Sequence, residues 1–279
     1  MHVKTILVCL NAVERTDELL KVAADLAARH EAHLVGLFVI PGVQIYAVPG
    51  GVHGAIDINQ EQRAYYEAQA DPVHAKFEDI VRKSAVVGEW RCVQAETHHM
   101  AKCALEHCLR ADLIVAAQSP EAGFDGFEPE FAERIIMETG RPVLVVPREG
   151  RFETIATHVV VGWNNSPQAA RASSDALALL QKADQVTIVS VNPDDEAGRE
   201  DLPGAEFATM LSRHGVTVTT ETVSATSSAG EALLTKASDL GANLLVVGAY
   251  GHSRLREYVF GGVTKHLLQH MTVPVLMSH

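Results

Sequence analysis

Residues Gly248 to Thr264 read GAYGHSRLREYVFGGVT, and what flanks them decides the fold. Before them lies Asn243 to Val247, a short apolar run with the length and β-branched content of a buried strand. After them comes Lys265 to His270, with Val263, Leu267 and Leu268 at helical spacing. The glycines therefore fall between a strand and a helix, where an α/β fold places its ligand loops. They form two pairs, Gly248/Gly251 and Gly261/Gly262. Glycine tolerates positive φ and lets an anion approach backbone N–H groups closely. The second pair opens a helix, whose first N–H groups lack intrahelical partners and point at any bound phosphate.

Working outward, the second half alternates strands and helices. Strands are expected at Val159 to Gly162, Val186 to Val191 and Val216 to Val223, and helices at Pro167 to Gln181, Leu202 to Arg213 and Gly230 to Leu240. The first of these helices opens Ser166-Pro167, a cap followed by proline in the first turn. The first half runs in the same order. Strands are expected at Thr5 to Leu10, Leu34 to Ile40, Trp90 to Gln94, Leu113 to Ala117 and Pro142 to Val146. Helices are expected at Asp17 to His30, Glu61 to Ser84, Ala101 to Arg110 and Glu130 to Thr139. Between them, Pro41 to Gln60 shows no period and is expected as a long loop. Such alternation predicts βαβ units around parallel sheets.

The halves align on their prolines. Pro41 and Pro193 are offset by 152 residues, Pro142 and Pro274 by 132, and the 20-residue difference matches an insertion at about 41–60 in the first copy. The chain is thus expected as a duplication, with domains at 1–150 and 151–279. The closing strands, Pro142 to Val146 and Val273 to Met277, are apolar and would otherwise be exposed edges.

Composition bounds the partners. Of 279 residues, 47% are hydrophobic and 21% charged, so a packed core is expected. Aromatics at 5% and a net charge of −12 argue against a nucleic-acid partner. No apolar run reaches membrane-spanning length, and Met1-His2-Val3-Lys4 leads directly into a strand without a secretory leader. Four cysteines confined to the first half fit reduced thiols better than a disulfide framework, so a cytoplasmic location is expected. His98, His99, Cys103, His107 and Cys108 include i, i+4 pairs, but the helix's core face claims several neighbours, so no metal site is assigned.

The spacing Gly-x2-Gly, nine residues, then Gly261, with Val263, Thr264 and the closing strand, resembles the nucleotide signature of the universal stress protein family. The duplication is similar to that family's tandem form. The resemblance implies two tandem doubly wound parallel-sheet domains, adenine nucleotide alpha hydrolase-like, with five strands each. It implies an adenine nucleotide ligand, ATP first, with ADP or AMP as alternatives. It also implies that the closing strands pair, here within one chain, with a homodimer as a further step.

In the second copy the resemblance brings three segments to the ligand crevice. Trp163, Asn164 and Ser166 follow the first strand, and Asn164 stands where family members often carry an aspartate against the nucleoside. Val191 ends the second strand, at a position whose backbone contacts adenine. Gly248, Gly251, Gly261, Gly262, Val263 and Thr264 form the phosphate cradle, with His252 and Arg254 adding positive charge. Serine usually stands at Gly262, so one hydroxyl donor is missing. In the first copy the loop reads AAQSPEAGFDGFEPEF, where Asp125, Glu128 and Glu130 replace the glycines and would repel phosphate. Nucleotide is therefore expected in the second copy alone, with the chain acting as a sensor or regulatory module. A nucleotide-free scaffold stays open because of the missing serine at 262; a weak ATP-cleaving enzyme is a further alternative, although no nucleophile with its base is found, and fold analogy alone does not decide among them.

Overall fold

The aliphatic runs become strands because both their faces are covered: Ile6 to Cys9 and Leu244 to Val247 are buried throughout. The computed structural model describes residues 2–42, 45–47, 55–57, 60–120, 128–192, 204–250 and 262–279. They divide into two compact units, Lys4–Thr139 and Gly140–His279, the latter with Met1–Val3.

The first unit holds β1 (Thr5–Cys9), α1 (Thr16–His30), β2 (His33–Ile40), β3 (Ile45–Ala47), β4 (Ala55–Asp57) and α2 (Gln60–Ser84). It continues with β5 (Gly88–Gln94), α3 (Met100–Cys108), β6 (Leu113–Ala117) and α4 (Phe131–Glu138). Its sheet has the order β6-β1-β2-β5 and is parallel throughout. The 41–60 stretch is not wholly irregular: β3 and β4 pair antiparallel, Ile45 opposite Asp57. Three-residue strands are too short to print a period on the sequence.

The second unit holds β7 (Val143–Val146), β8 (His158–Gly162), α5 (Pro167–Asp175), α6 (Leu177–Leu180), β9 (Gln185–Val191) and α7 (Ala205–Arg213). After these come β10 (Val218–Val223), α8 (Ala229–Asp239), β11 (Leu244–Gly248), α9 (Gly262–His270) and β12 (Val275–Ser278). The expected single helix over 167–181 divides at Ala176, whose φ of −77° and ψ of −9° tighten the turn. The strand order is β10-β9-β8-β11-β12-β7. All pairs are parallel except the last, where Val275, Leu276 and Met277 face Val145, Leu144 and Val143 antiparallel. The two closing strands therefore meet as expected, and each protects the other's edge.

The ladder registers match between the central strands of the two copies. Thr5 pairs with His33 as His158 pairs with Gln185, and Ile6 pairs with Leu113 as Val159 pairs with Leu244. Even the strand starts are tied alike. The Asp112 carboxylate accepts from the N–H groups of Lys4 and Thr5, both at 2.9 Å. At the same register, the Asn243 carbonyl oxygen accepts from Thr157 and His158 at 3.0 and 3.1 Å. Cys9 and Cys108 are buried, Cys103 is half-buried and Cys92 exposed, all as free thiols. Among the described residues no helix is long and apolar enough to cross a membrane.

Candidate functional site

The carboxyl ends of β9, β8 and β11 lie side by side in the second unit, the end of a doubly wound sheet at which a ligand is taken. The chain leaves β8 through Trp163, whose N–H donates to Val189 O at 2.9 Å. The Trp163 indole stacks on Phe207 of α7, with centroids 3.9 Å apart and planes within 7°. Asn164 is exposed, and Asn165 turns the chain at φ 56°. Ser166 then caps α5: its Oγ accepts from Ala169 N–H at 3.2 Å and donates its proton to Asn164 Oδ1 at 2.7 Å.

Backbone alternation decides what β9 offers. Trp163 bonds Val189 on the β8 side, and Asn192 N–H bonds Val223 O on the β10 side at 2.8 Å. The N–H and C=O of Val191 share the parity of Val189 and so face the β8 side, beyond the point where β8 has ended. No described residue hydrogen-bonds to them. A donor–acceptor pair aimed into a crevice suits the edge of a nucleobase, whose ring nitrogen accepts and whose amino group donates. Asn192, which the sequence reading passed over, braces this wall. At φ 41° its side chain donates to Ala225 O at 2.6 Å and accepts from Ala225 N–H at 2.8 Å.

Gly248 ends β11 directly against the start of α5. A Cβ there would lie 2.4 Å from the carbonyl carbon of Gln168 and 2.6 Å from the N of Ala169. The close approach of strand end to helix start needs glycine at this position. Beyond it, Tyr250 N–H donates to Thr264 Oγ1 at 3.2 Å, so the buried Thr264 hydroxyl ties the loop to α9. The helix begins at Gly262, one residue before Val263 opens its hydrophobic period. Gly262 is exposed, Val263 half-buried, and their N–H groups belong to the unpaired first turn. Gly251, His252, Arg254 and Gly261 lie outside the described residues. Ser190 Oγ and Gln168 Oε1 are buried without a hydrogen-bond partner among the described residues.

The first unit shows the same positions filled from within. Asn11, equivalent to Asn164, is 2% exposed. Its Nδ2 donates to Val39 O at 2.6 Å, and its Oδ1 accepts from Val39 N–H at 3.2 Å. By register Val39 is the counterpart of Val191. Phe38 stands where the second unit has Ser190, and Tyr66 packs 5.7 Å from it, its hydroxyl donating to Asn11 O at 3.1 Å.

At the start of α4, Ala132 N–H donates to Ser119 Oγ at 3.1 Å, and Ser119 in turn donates to Glu133 at 2.6 Å. Burial pushes the Glu133 carboxyl above its usual range, opposed by that hydroxyl. Glu128, expected to repel phosphate, is engaged by the fold itself. It accepts from Ala101 N–H in the first turn of α3 at 2.7 Å and pairs with Arg134 at 3.0 Å. Its charge is spent inside the fold. An open hollow of about 350 Å³ beside it is lined by Gln62, His98, His99 and Glu130 among others. Among the described residues no group of three or more His, Cys, Asp or Glu is placed to hold a metal ion.

Comparison with known proteins agrees with this architecture. The chain is 34% identical over 149 residues to a universal stress protein of Synechocystis sp., an alignment covering 52% of this chain and 49% of that protein. The chain thus spans about half the length of the curated relative it matches. A universal stress protein from Archaeoglobus fulgidus superimposes with a TM-score of 0.73 at 15% identity, over 98% of this chain and 97% of that one. A functionally unknown protein from Pseudomonas aeruginosa does so at 0.59 and 14%, over 99% and 92%. At such identities these likenesses speak for the fold alone. The profile of the universal stress protein family matches twice, at residues 2–147 and 156–279. The chain belongs to the universal stress protein family.

Proposed function

We propose that the second unit binds one adenine nucleotide, ATP first, and that the protein serves as a nucleotide-dependent sensor or regulatory module. The observation that carries this is the contrast between Val39 and Val191. The same backbone edge is closed by Asn11 in one copy and has no partner among the described residues in the other. The base would pair with the Val191 N–H and C=O. The phosphates would reach the first turn of α9, where N–H groups and the helix dipole favour an anion. The buried Ser190 hydroxyl and Gln168 carbonyl, without a partner among the described residues, offer polar contacts to a ligand.

Calorimetric titration with ATP is expected to fill one site per chain. Two equivalent sites would contradict the closed first unit, and no heat with ATP, ADP or AMP would leave a nucleotide-free scaffold. The missing serine supplies a second measurement. A Cβ at Gly262 meets no described atom within 4 Å, so none of the described residues obstructs a serine there. Its hydroxyl would add a hydrogen bond to a charged acceptor, a type worth about 1.5–3 kcal/mol before ordering costs. Gly262→Ser is therefore expected to tighten ATP about tenfold, with adenosine little changed. Equal shifts for ATP and adenosine would show that position 262 does not face the phosphates.

A further inference from the structure

We propose that Asn164 is a built-in competitor for the base, and that Ser166 is the latch that holds it off. The first unit shows what this asparagine does when nothing restrains it. A carboxamide carries one acceptor and one donor side by side, the same pair that an adenine edge presents. Asn11 spends both on Val39, at 3.2 and 2.6 Å, and so satisfies the edge as a base would. Asn164 stands at the same register, one residue beyond a backbone bond of the same length. Leu10 N–H reaches Leu37 O at 2.9 Å, and Trp163 N–H reaches Val189 O at 2.9 Å. Its counterpart edge on Val191 lacks a described partner.

Two residues on, the copies differ. The first has Val13, which has no hydroxyl, in a short 3-10 turn; the second has Ser166. The Ser166 proton is committed to Asn164 Oδ1 at 2.7 Å, and this bond turns the carboxamide out to solvent. The hydroxyl thus has two tasks, capping α5 with its lone pair and retaining Asn164 with its proton. The inference rests on the reading that a base pairs with Val191. Releasing the latch lets Asn164 close the edge, and a closed fraction lowers apparent affinity in proportion.

The first test needs no nucleotide. In the ligand-free full chain, hydrogen exchange at the Val191 amide is measured by NMR, together with the Asn164 side-chain NH2 resonances. Ser166→Gly keeps an acceptable cap at a cost of about a few tenths of a kcal/mol, so the fold survives. It is expected to slow Val191 exchange about tenfold and to move the Asn164 NH2 signals, whereas Ser166→Thr, which keeps the hydroxyl, changes neither. ATP titration is the second test. Ser166→Gly should weaken binding about three- to tenfold, and adding Asn164→Gly should recover part of that loss. Unchanged Val191 exchange in Ser166→Gly overturns the latch, whatever ATP does. Slowed exchange in a chain that binds no nucleotide upholds the latch and removes the nucleotide reading instead. A double variant as weak as Ser166→Gly alone shows that Ser166 acts on the ligand directly, and that also overturns it.

Discussion

Replacing Gly248 by alanine is expected to lower the melting temperature of the second unit and to loosen its proposed nucleotide site together. The added methyl would sit 2.4 and 2.6 Å from backbone atoms of Gln168 and Ala169, distances no carbon contact sustains. Backbone cannot rotate aside as a side-chain tip can, so α5 must move away from β11. Overpacking of this kind costs typically about 1–3 kcal/mol, and a backbone clash belongs at the upper end. For a unit of this size about 3 kcal/mol corresponds to roughly 10 °C. Displacing α5 carries Ser166 and Asn164 with it, so ATP affinity should fall at least about tenfold, as for one lost hydrogen bond to a charged group.

Calorimetric melting and titration measure both effects. Trimming the Gln168 side chain in the same protein should not restore stability, because the obstacle is its carbonyl carbon. A melting point within about 2 °C of the parent, less than 1 kcal/mol is worth, would sink the argument. The first unit shows the alternative solution. It has Ala117 at the register of Gly248, and there α1 begins only at Thr16, after the Val13–Arg15 turn.

The fold was legible because burial on two faces writes continuous aliphatic runs, and helices between them write a different period. The duplication was legible because prolines after β2 and before β7 recur after β9 and before β12. Gly248 and Ser166-Pro167 were legible as a strand end and a helix start, because backbone geometry restricts which residues can stand there. What the sequence hid was conformation at identical residues. Asn11 and Asn164 are the same letter after equivalent strands, yet one is buried on a backbone edge and the other is held in solvent. Nothing next to Asn11 reports this, only Tyr66, 55 residues away; beside Asn164 it is Ser166, two residues on. Likewise the charge of Glu128 was visible, but its bonds to Ala101 and Arg134 depend on tertiary contacts.

Those two asparagines should therefore respond oppositely to the same substitution. Asn11→Leu keeps the volume roughly but removes both hydrogen bonds to Val39, stranding a buried N–H and a buried C=O. Each stranded group costs about 1–3 kcal/mol, and water has little access to a position 2% exposed. The Met100 sulfur, 3.2 Å from Asn11 Nδ2, cannot repair the loss, since it has no proton to give Val39 O. The expected destabilisation of the first unit is about 3 kcal/mol, seen as a melting transition lowered by roughly 10 °C. Asn164→Leu removes one solvent-facing bond to Ser166, and its stability effect should stay within about 0.5 kcal/mol. On the proposed reading its consequence belongs to binding, where the second unit would lose the competitor for the base. Differential scanning calorimetry of the two variants side by side decides the matter. Equal destabilisation would mean that the carboxamide of Asn11 is not what satisfies Val39. The first unit would then have to be closed by Tyr66 and Phe38 alone, and removing the Tyr66 side chain should open it to ATP as a second site.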